Sequence, residues 1–390
     1  MINAPRLISE LVELVQIPSL SKREGAIARR LCQVLAAMGG EVEVDDAGGK
    51  VGGETGNVIA RFRGSAPTAP PFLLSAHMDT VTPGENVKPV VEGDVIRTDG
   101  TTVLGGDDKA GVVAILEAVR ALREQRIPHG DLELVFTICE ELGLLGVKHL
   151  DVSRFRAKMG LVLDCDGVDE LITKAPAANR MVFTIHGLEA HAGVCPENGI
   201  SAIKVAAEAI AAMNLGRIDA ETTANLGIIQ GGMANNIVPK QAVVRGEARS
   251  RNNEKLHAQT EHMRNCFNEA ARRHRVILNG KEIHARVEER IERDYEVMDL
   301  PDDCRIVRLV RGAAKALGRS LVTRPTGGGS DANVLNGKGL QVANLACGMR
   351  AIHTVNEWLD VKDVVRTAEL LVEVIRLSVA ADAEVKGGTD

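Results

Sequence analysis

The chain has 390 residues, 47 Lys and Arg against 53 Asp and Glu, a formal net charge of −6 and 45% hydrophobic residues. That balance offers no basic face to a phosphate backbone, so nucleic acid is excluded as a partner, and no run of 18 apolar residues is present to span a membrane. Seven scattered cysteines without a CxxC pair read as reduced thiols of a cytoplasmic protein rather than as a disulfide framework.

The N-terminal MINAPRLISELVELVQIPS has no basic segment followed by an apolar one, so no secretion signal is expected. Residues 6–15 and 24–38 predict amphipathic helices separated at Ile17-Pro18-Ser19, the second ended by Gly39-Gly40. Strands are expected at 41–45, 57–62 and 72–76. Residues 109–123 place Val112, Val113, Leu116, Val119 and Leu122 on one helical face. A buried strand runs into Phe136–Ile138 and another covers 160–165. Strands alternating with helices predict an α/β sheet covered on both faces. From residue 176 the order becomes strand Met181–Ile185, helix Ala202–Met213, strands Thr222–Ile229 and Ala242–Arg249, helix Asn253–Arg273 and strand Ile283–Val287. That βαββαβ order is the split unit of ferredoxin-like domains. The basic cluster Ala271-Arg-Arg-His-Arg275 reads as a solvated helix surface. Helix 304–317, a Gly-rich turn at 326–331, strand 340–345 and helix 361–380 then restore α/β character, and Glu384–Asp390 reads as a disordered tail. The expectation is one α/β domain in two pieces, 1–175 and 292–390, with an α+β domain, 176–291, inserted between them.

Polar residues gather where the core strands end, the edge on which open α/β sheets build their sites. The strand FLLSA leads into His77-Met78-Asp79. A neutral imidazole is a common metal ligand. Asp79 lies on the same side and can take the other ring N–H. Alone, the pair is a weak signal and reads more readily as a strand-end histidine beside a solvated acid. Leu104-Gly-Gly-Asp-Asp-Lys-Ala-Gly111 precedes the next helix, where acids suit the N-terminus. A phosphate loop is a poor reading, since GxxxxGK[ST] is absent and two acids repel phosphate; a metal bridged by Asp107 fits better. Glu140 and Glu141 follow a buried strand, and adjacent side chains on an extended chain point to opposite sides. Leu163-Asp-Cys-Asp-Gly167 puts acids at another strand end, and Ala351-Ile-His-Thr-Val-Asn-Glu357 places His353 just after the strand at 340–345. This mix of donors suits zinc, with manganese or cobalt as options. One carboxylate shared between two ions about 3.5–4 Å apart is the arrangement that activates water.

The order H-x-D, G-x-D-D-K-x-G, E-E, a strand-end acid and a late histidine resembles the dinuclear zinc peptidases that include peptidase T, carboxypeptidase G and aminoacylase. Ile17-Pro-Ser19 and the inserted domain, their lid or dimerisation domain, extend the resemblance over nearly the whole chain. GGDDKAG, EELGLLG, HAGVCPE and GGGSDAN bring it nearest to the peptidase T-like branch. The resemblance implies a zinc-exopeptidase-like mixed sheet covered by helices, a ferredoxin-like lid, two zinc ions per subunit and a homodimer. It implies hydrolysis of a peptide bond in short peptides, aminopeptidase- or tripeptidase-like. Carried over residue by residue, it makes His77, Asp107, Glu141, Asp166 and His353 metal ligands, with Asp107 bridging and Asp166 chosen over Asp164 by register. Asp79 becomes the orienter of His77, and Glu140 the general base. The Asp107–Asp108 peptide is cis in many members. His191 of the inserted domain becomes the group that polarises the substrate carbonyl, and Asn236 and Arg249 contact substrate. One departure stands out. Tripeptidases of the family carry an arginine where this chain has Gly327, and a guanidinium there could hold a substrate carboxylate.

Three other readings compete. Deacylation of N-acyl amino acids uses the same chemistry. A non-catalytic metal or nucleotide binder would have no need of an unpaired base such as Glu140, and no GxGxxG follows a strand. A cysteine nucleophile at Cys139 or Cys195 is the third, although two acids beside Cys139 would blunt it. The remaining histidines, 129, 149, 186, 257, 262, 274 and 284, have no ligand-spaced partners and read as structural or exposed.

Overall fold

The computed structural model describes residues 2–386. The last helix, Val361–Lys386, runs through the first part of the expected tail, and 387–390 lie outside the described residues. The chain divides into two compact units. One holds the residues up to Lys174, Asp299–Thr326 and those from Ser330 onward; the other holds Ala175–Met298 and Gly327–Gly329.

The first unit is built on a twelve-stranded mixed sheet. Its centre is four mutually parallel strands in the order Leu132–Thr137, Phe72–His77, Met159–Asp166 and Gln341–Arg350. LELVFT and FLLSAH are buried along their whole length, as strands covered on both faces must be. The helix Gly106–Glu124 is buried almost all round. The N-terminal helix Ala4–Val15 is tied to it by Arg6–Glu117 and Glu10–Arg120 ion pairs. Because the four strands are parallel, Thr137, His77, Asp166 and Arg350 all end at one edge, and the loops that follow them meet there.

Several short elements were not expected: the hairpin Pro89–Glu92 with Val95–Thr98, the strands Glu170–Ala175 and Val322–Pro325, and the helix Asp331–Gly337. Each is too short for periodicity to speak. The strand predicted at 340–345 runs on to Arg350.

The second unit has a five-stranded antiparallel sheet whose main strands lie in the order Thr222–Gly231, Gln241–Ser250, Ala177–His186 and Arg286–Tyr295. With helices Ala202–Ala211 and Asn253–Arg273 this is the ferredoxin-like arrangement. Phe183 and Phe267 stack at 4.3 Å in its core. The expected last strand is displaced. Ile283 belongs to a hairpin of Arg275–Leu278 with Lys281–His284, and the fourth strand is RVEERIERDY. Its inward Val287 and Ile291 are too few among charges to announce it, so this unit extends to Met298 rather than ending at 291.

Candidate metal centre

At the shared strand edge, His77 is buried at the end of its strand. Its Nδ1 lies 3.1 Å from the Asp79 carbonyl oxygen and 3.5 Å from Asp79 Oδ1. The other ring nitrogen, Nε2, lies 3.0 Å from Asp107 Oδ1 and 3.8 Å from Asp164 Oδ1. The second oxygen of Asp107, Oδ2, faces His353 Nε2 at 3.1 Å, and the same nitrogen lies 2.9 Å from Glu141 Oε1. Asp107 is thus divided between two groups of donors: His77 and Asp164 on one side, Glu141 and His353 on the other.

The spacings decide what these groups can hold. Donors bonded at about 2.0–2.1 Å to a tetrahedral ion stand about 3.3 Å apart. The closest approaches here, 2.9 to 3.8 Å, bracket that value. Glu141 Oε1 is buried and makes no hydrogen bond, although His353 is near; such an orphaned oxygen is what a ligand awaiting an ion looks like. Electrostatics agree. The carboxylates of Asp107 and Glu141 push the His353 imidazole up to about 10. Burial alone would raise Asp107, but His353 and His77 hold it below the usual carboxylate range. A proton on His353 therefore stands where a cation belongs.

The acid chosen from the Asp164–Asp166 pair has to be corrected. Asp164 reaches the cluster, with its side chain 14% exposed. Asp166 is 59% exposed and pairs with Arg324 at 2.8 Å. Period-two alternation puts both on one face, so spacing could not separate them. An irregularity in the neighbouring strand does: Ala346 pairs with Cys165, but the next pairing is Met349 with Asp166. The strand end turns Asp166 away toward Arg324.

Asp79 holds more than His77. Its Oδ1 accepts the Glu140 N–H at 2.9 Å, and its Oδ2 accepts the Glu141 N–H at 3.2 Å and the Ser21 hydroxyl at 2.7 Å. Burial pushes the Glu140 carboxyl well above its usual range; His77 opposes the rise, and Asp331 and Glu141 add to it. The Asp107–Asp108 peptide is cis. Beside the cluster stand residues that spacing had not marked. Glu357 accepts the N–H groups of Gly105 and Asp107, both at 2.8 Å, and burial carries its carboxyl to about 7. Lys109 is buried and donates to Ser19 Oγ at 2.7 Å. Asp331 accepts from the Thr137 hydroxyl and burial lifts it to about 6. Glu357 and Asp331 sit inside stretches that had drawn notice, but their work is on backbone and buried hydroxyl groups, which no linear pattern reveals.

In the second unit, His191 is exposed and bridges to Ile237, while Ala192 N–H donates to the Asn236 carbonyl at 2.9 Å. These two predicted residues are therefore neighbours. Arg249 is not with them. It lies at the far end of the strand that begins at Gln241, about 26 Å along at about 3.3 Å per residue, and it is paired with Glu247 at 2.8 Å. A Cβ on Gly327 would meet nothing within 4 Å, so the space around this position is open.

Residues 73–377 match the family described as Peptidase family M20/M25/M40. The chain belongs to that family. It is a metallopeptidase, a hydrolase of peptide bonds. It is 43% identical to the uncharacterized protein YqjE of Bacillus subtilis (strain 168), over 96% of this chain and 99% of the relative. The crystal structure of aminopeptidase PepT from Bacillus cereus ATCC 10987 is 42% identical, covers 97% of this chain and 99% of its own, and superposes with a TM-score of 0.85. A tripeptidase (SAV1512) from Staphylococcus aureus is 36% identical, with a TM-score of 0.89 over 97% of this chain and 100% of its own. Membership of this peptidase family sets aside the reading as a non-catalytic binder. The cysteine reading fails at Cys139 on its own terms. Burial, with Glu24 beside it, raises the Cys139 thiol to about 12, far from a working thiolate.

Proposed function

We propose that the chain is a cytoplasmic, homodimeric aminopeptidase that acts on short peptides with two zinc ions per subunit. The observation that carries this reading is Asp107, whose two oxygens address two separate histidines. In it, His77 and Asp164 would hold one ion and Glu141 and His353 the other, with Asp107 contributing to both. When bound, such a pair supplies a water acidic enough to ionise near neutral pH and a positive field for the scissile carbonyl. The chain's own residues do the rest. Asp79 keeps the His77 ring oriented and pins the backbone of the acid pair. Glu140, its carboxyl raised by burial, takes a proton from the attacking water and hands it to the departing amine. His191 accepts the Gly193 N–H through Nδ1 at 3.1 Å, which leaves Nε2 as the N–H donor; that is the tautomer a carbonyl-polarising group requires. Asn236, beside it, contacts substrate. Arg249 contacts substrate from a separate place, near Tyr295, which flanks the same residue, Ala178, from the other side.

The aminopeptidase and tripeptidase names of the two structural relatives favour peptides with a free amino group. Gly327 argues against strict tripeptide preference, since no guanidinium is available there. The seven unpaired thiols are in keeping with the cytoplasm. A dimer is supported by the outer strand Thr222–Gly231. Beyond Ala224 its edge has no strand partner among the described residues, and Ile228, Ile229 and nearby Met233 are exposed.

Metal analysis of the purified protein, with activity on a panel of dipeptides, tripeptides and N-acetyl amino acids, tests this reading. Two equivalents of metal and turnover restricted to substrates with a free amino group are expected. Turnover of the N-acetyl compounds alone would make the enzyme a deacylase.

A further inference from the structure

The motif Ile17-Pro18-Ser19 has no role in the chemistry above, yet the segment it opens touches the centre at three points. Ser19 Oγ receives Lys109 Nζ at 2.7 Å. Ser21 Oγ donates to Asp79 Oδ2 at 2.7 Å. Glu24 Oε1 accepts the Cys139 N–H at 2.9 Å and its thiol at 3.3 Å. Six residues thus reach the lysine two places after Asp107, the carboxylate that orients His77, and the residue just before Glu140.

The third contact bears on the acid pair. Cys139 has φ 51°, left-handed backbone at a residue that is not glycine. The carbonyls of the turn it starts are taken within the segment, that of Glu140 accepting the N–H groups of Gly143 at 2.9 Å and Leu144 at 2.8 Å, but its leading N–H groups are held from outside. The N–H groups of Ile138, Cys139, Glu140 and Glu141 all donate to side chains from elsewhere, namely Asn57, Glu24 and Asp79. Glu24 is fully buried and its Oε2 makes no hydrogen bond. A carboxyl group kept in that state does not favour stability, so its use lies elsewhere.

We propose that Glu24 is a positioning residue for Glu140 and Glu141. It acts through the Cys139 N–H and sets the turn that sends one carboxylate to the metals and leaves the other for the substrate water. The proposal rests on the assignment of Glu140 as base and Glu141 as ligand.

Three variants of the full-length, metal-loaded enzyme test it. Glu24→Gln keeps an acceptor at Oε1 and should keep kcat within about threefold of wild type. Glu24→Met fills the same space without an acceptor. It should lower kcat about 10- to 100-fold, the usual effect of losing a group that orients a ligand, with KM within twofold and both metals retained. A purely structural role would instead lower Tm in Glu24→Met and leave kcat of the folded fraction unchanged, and that result overturns the proposal. If Glu24→Met does not fold, Glu24→Asp decides: its carboxylate is drawn back by one methylene, and wild-type kcat in that variant also overturns it. A metal-loaded wild type inactive on every member of the panel would instead count against the assigned chemistry, whatever Glu24 does.

Discussion

Glu140 and Glu141 are neighbours with opposite expected responses to removal. Glu140→Gln should lose about 10²- to 10⁴-fold in kcat, the contribution of a positioned base, with metal content unchanged. Glu141→Ala should lose one metal equivalent, measured by atomic absorption; if both variants keep two metals and full kcat, the roles are wrong. Asp164→Ala should also lose metal while Asp166→Ala keeps it, and the reverse result would restore the register that the sequence favoured. His353 adds a pH dependence. Its folded-state value of about 10 means that the ring is protonated near pH 7–8, and a ligand must give up that proton. Metal affinity should therefore rise with pH up to about 10. Calorimetry in buffers of different ionisation enthalpy should show proton release on loading, and less of it in His353→Gln, where only the other ligands still give up protons. At this scale most of the centre was legible, because acids at apolar strand ends have few structural reasons to be there. Glu24, Lys109 and Glu357 were not, since each acts on a group distant in the chain.

Among the elements, the helix Gly106–Glu124 and the strand Met159–Asp166 touch with no side chain between them at Gly111. A Cβ there would stand 2.3 Å from the Leu163 carbonyl oxygen and 2.4 Å from Asp108 Oδ1. Gly111→Ala must push apart the helix that carries Asp107 and the strand that carries Asp164. Overpacking of this kind costs about 1–3 kcal/mol, and the displaced elements belong to one ligand set. Thermal unfolding of the metal-free protein should show the loss, and weaker metal binding should accompany it. Unchanged Tm and affinity would mean that the contact is slack. The long elements could be read in advance, because buried parallel strands and an apolar helical face leave strong periodic traces. RVEERIERDY could not, because only Val287 and Ile291 among its charges mark the buried face.

At the scale of the whole molecule, the inserted unit is joined to the rest by the crossings near Lys174 and Met298, with Gly327–Gly329 as a further contribution from the chain. Few crossings suit a body that moves as one piece about a hinge. We expect a dimer by analytical ultracentrifugation, formed through the open edge of Thr222–Gly231 across a two-fold axis. Placing lysines at Ile228 and Ile229 together should dissociate it, because like charges would then face each other on the paired edge. In the proposed function His191 would connect the dimer to catalysis. If its Nε2–H polarises the substrate carbonyl, His191→Ala should lower kcat by about 10²- to 10³-fold, the loss typical of one such donor, with metal content unchanged. Mixing His191→Ala with Glu140→Ala subunits then locates the donor. If the histidine serves the partner's metals, the mixed dimer holds one intact site, formed by Glu140 of one chain and His191 of the other, and activity returns to a fraction of wild type. If it serves its own chain, every site in the mixture lacks one group and no activity returns. A fully active His191→Ala enzyme would remove the histidine from the reaction altogether.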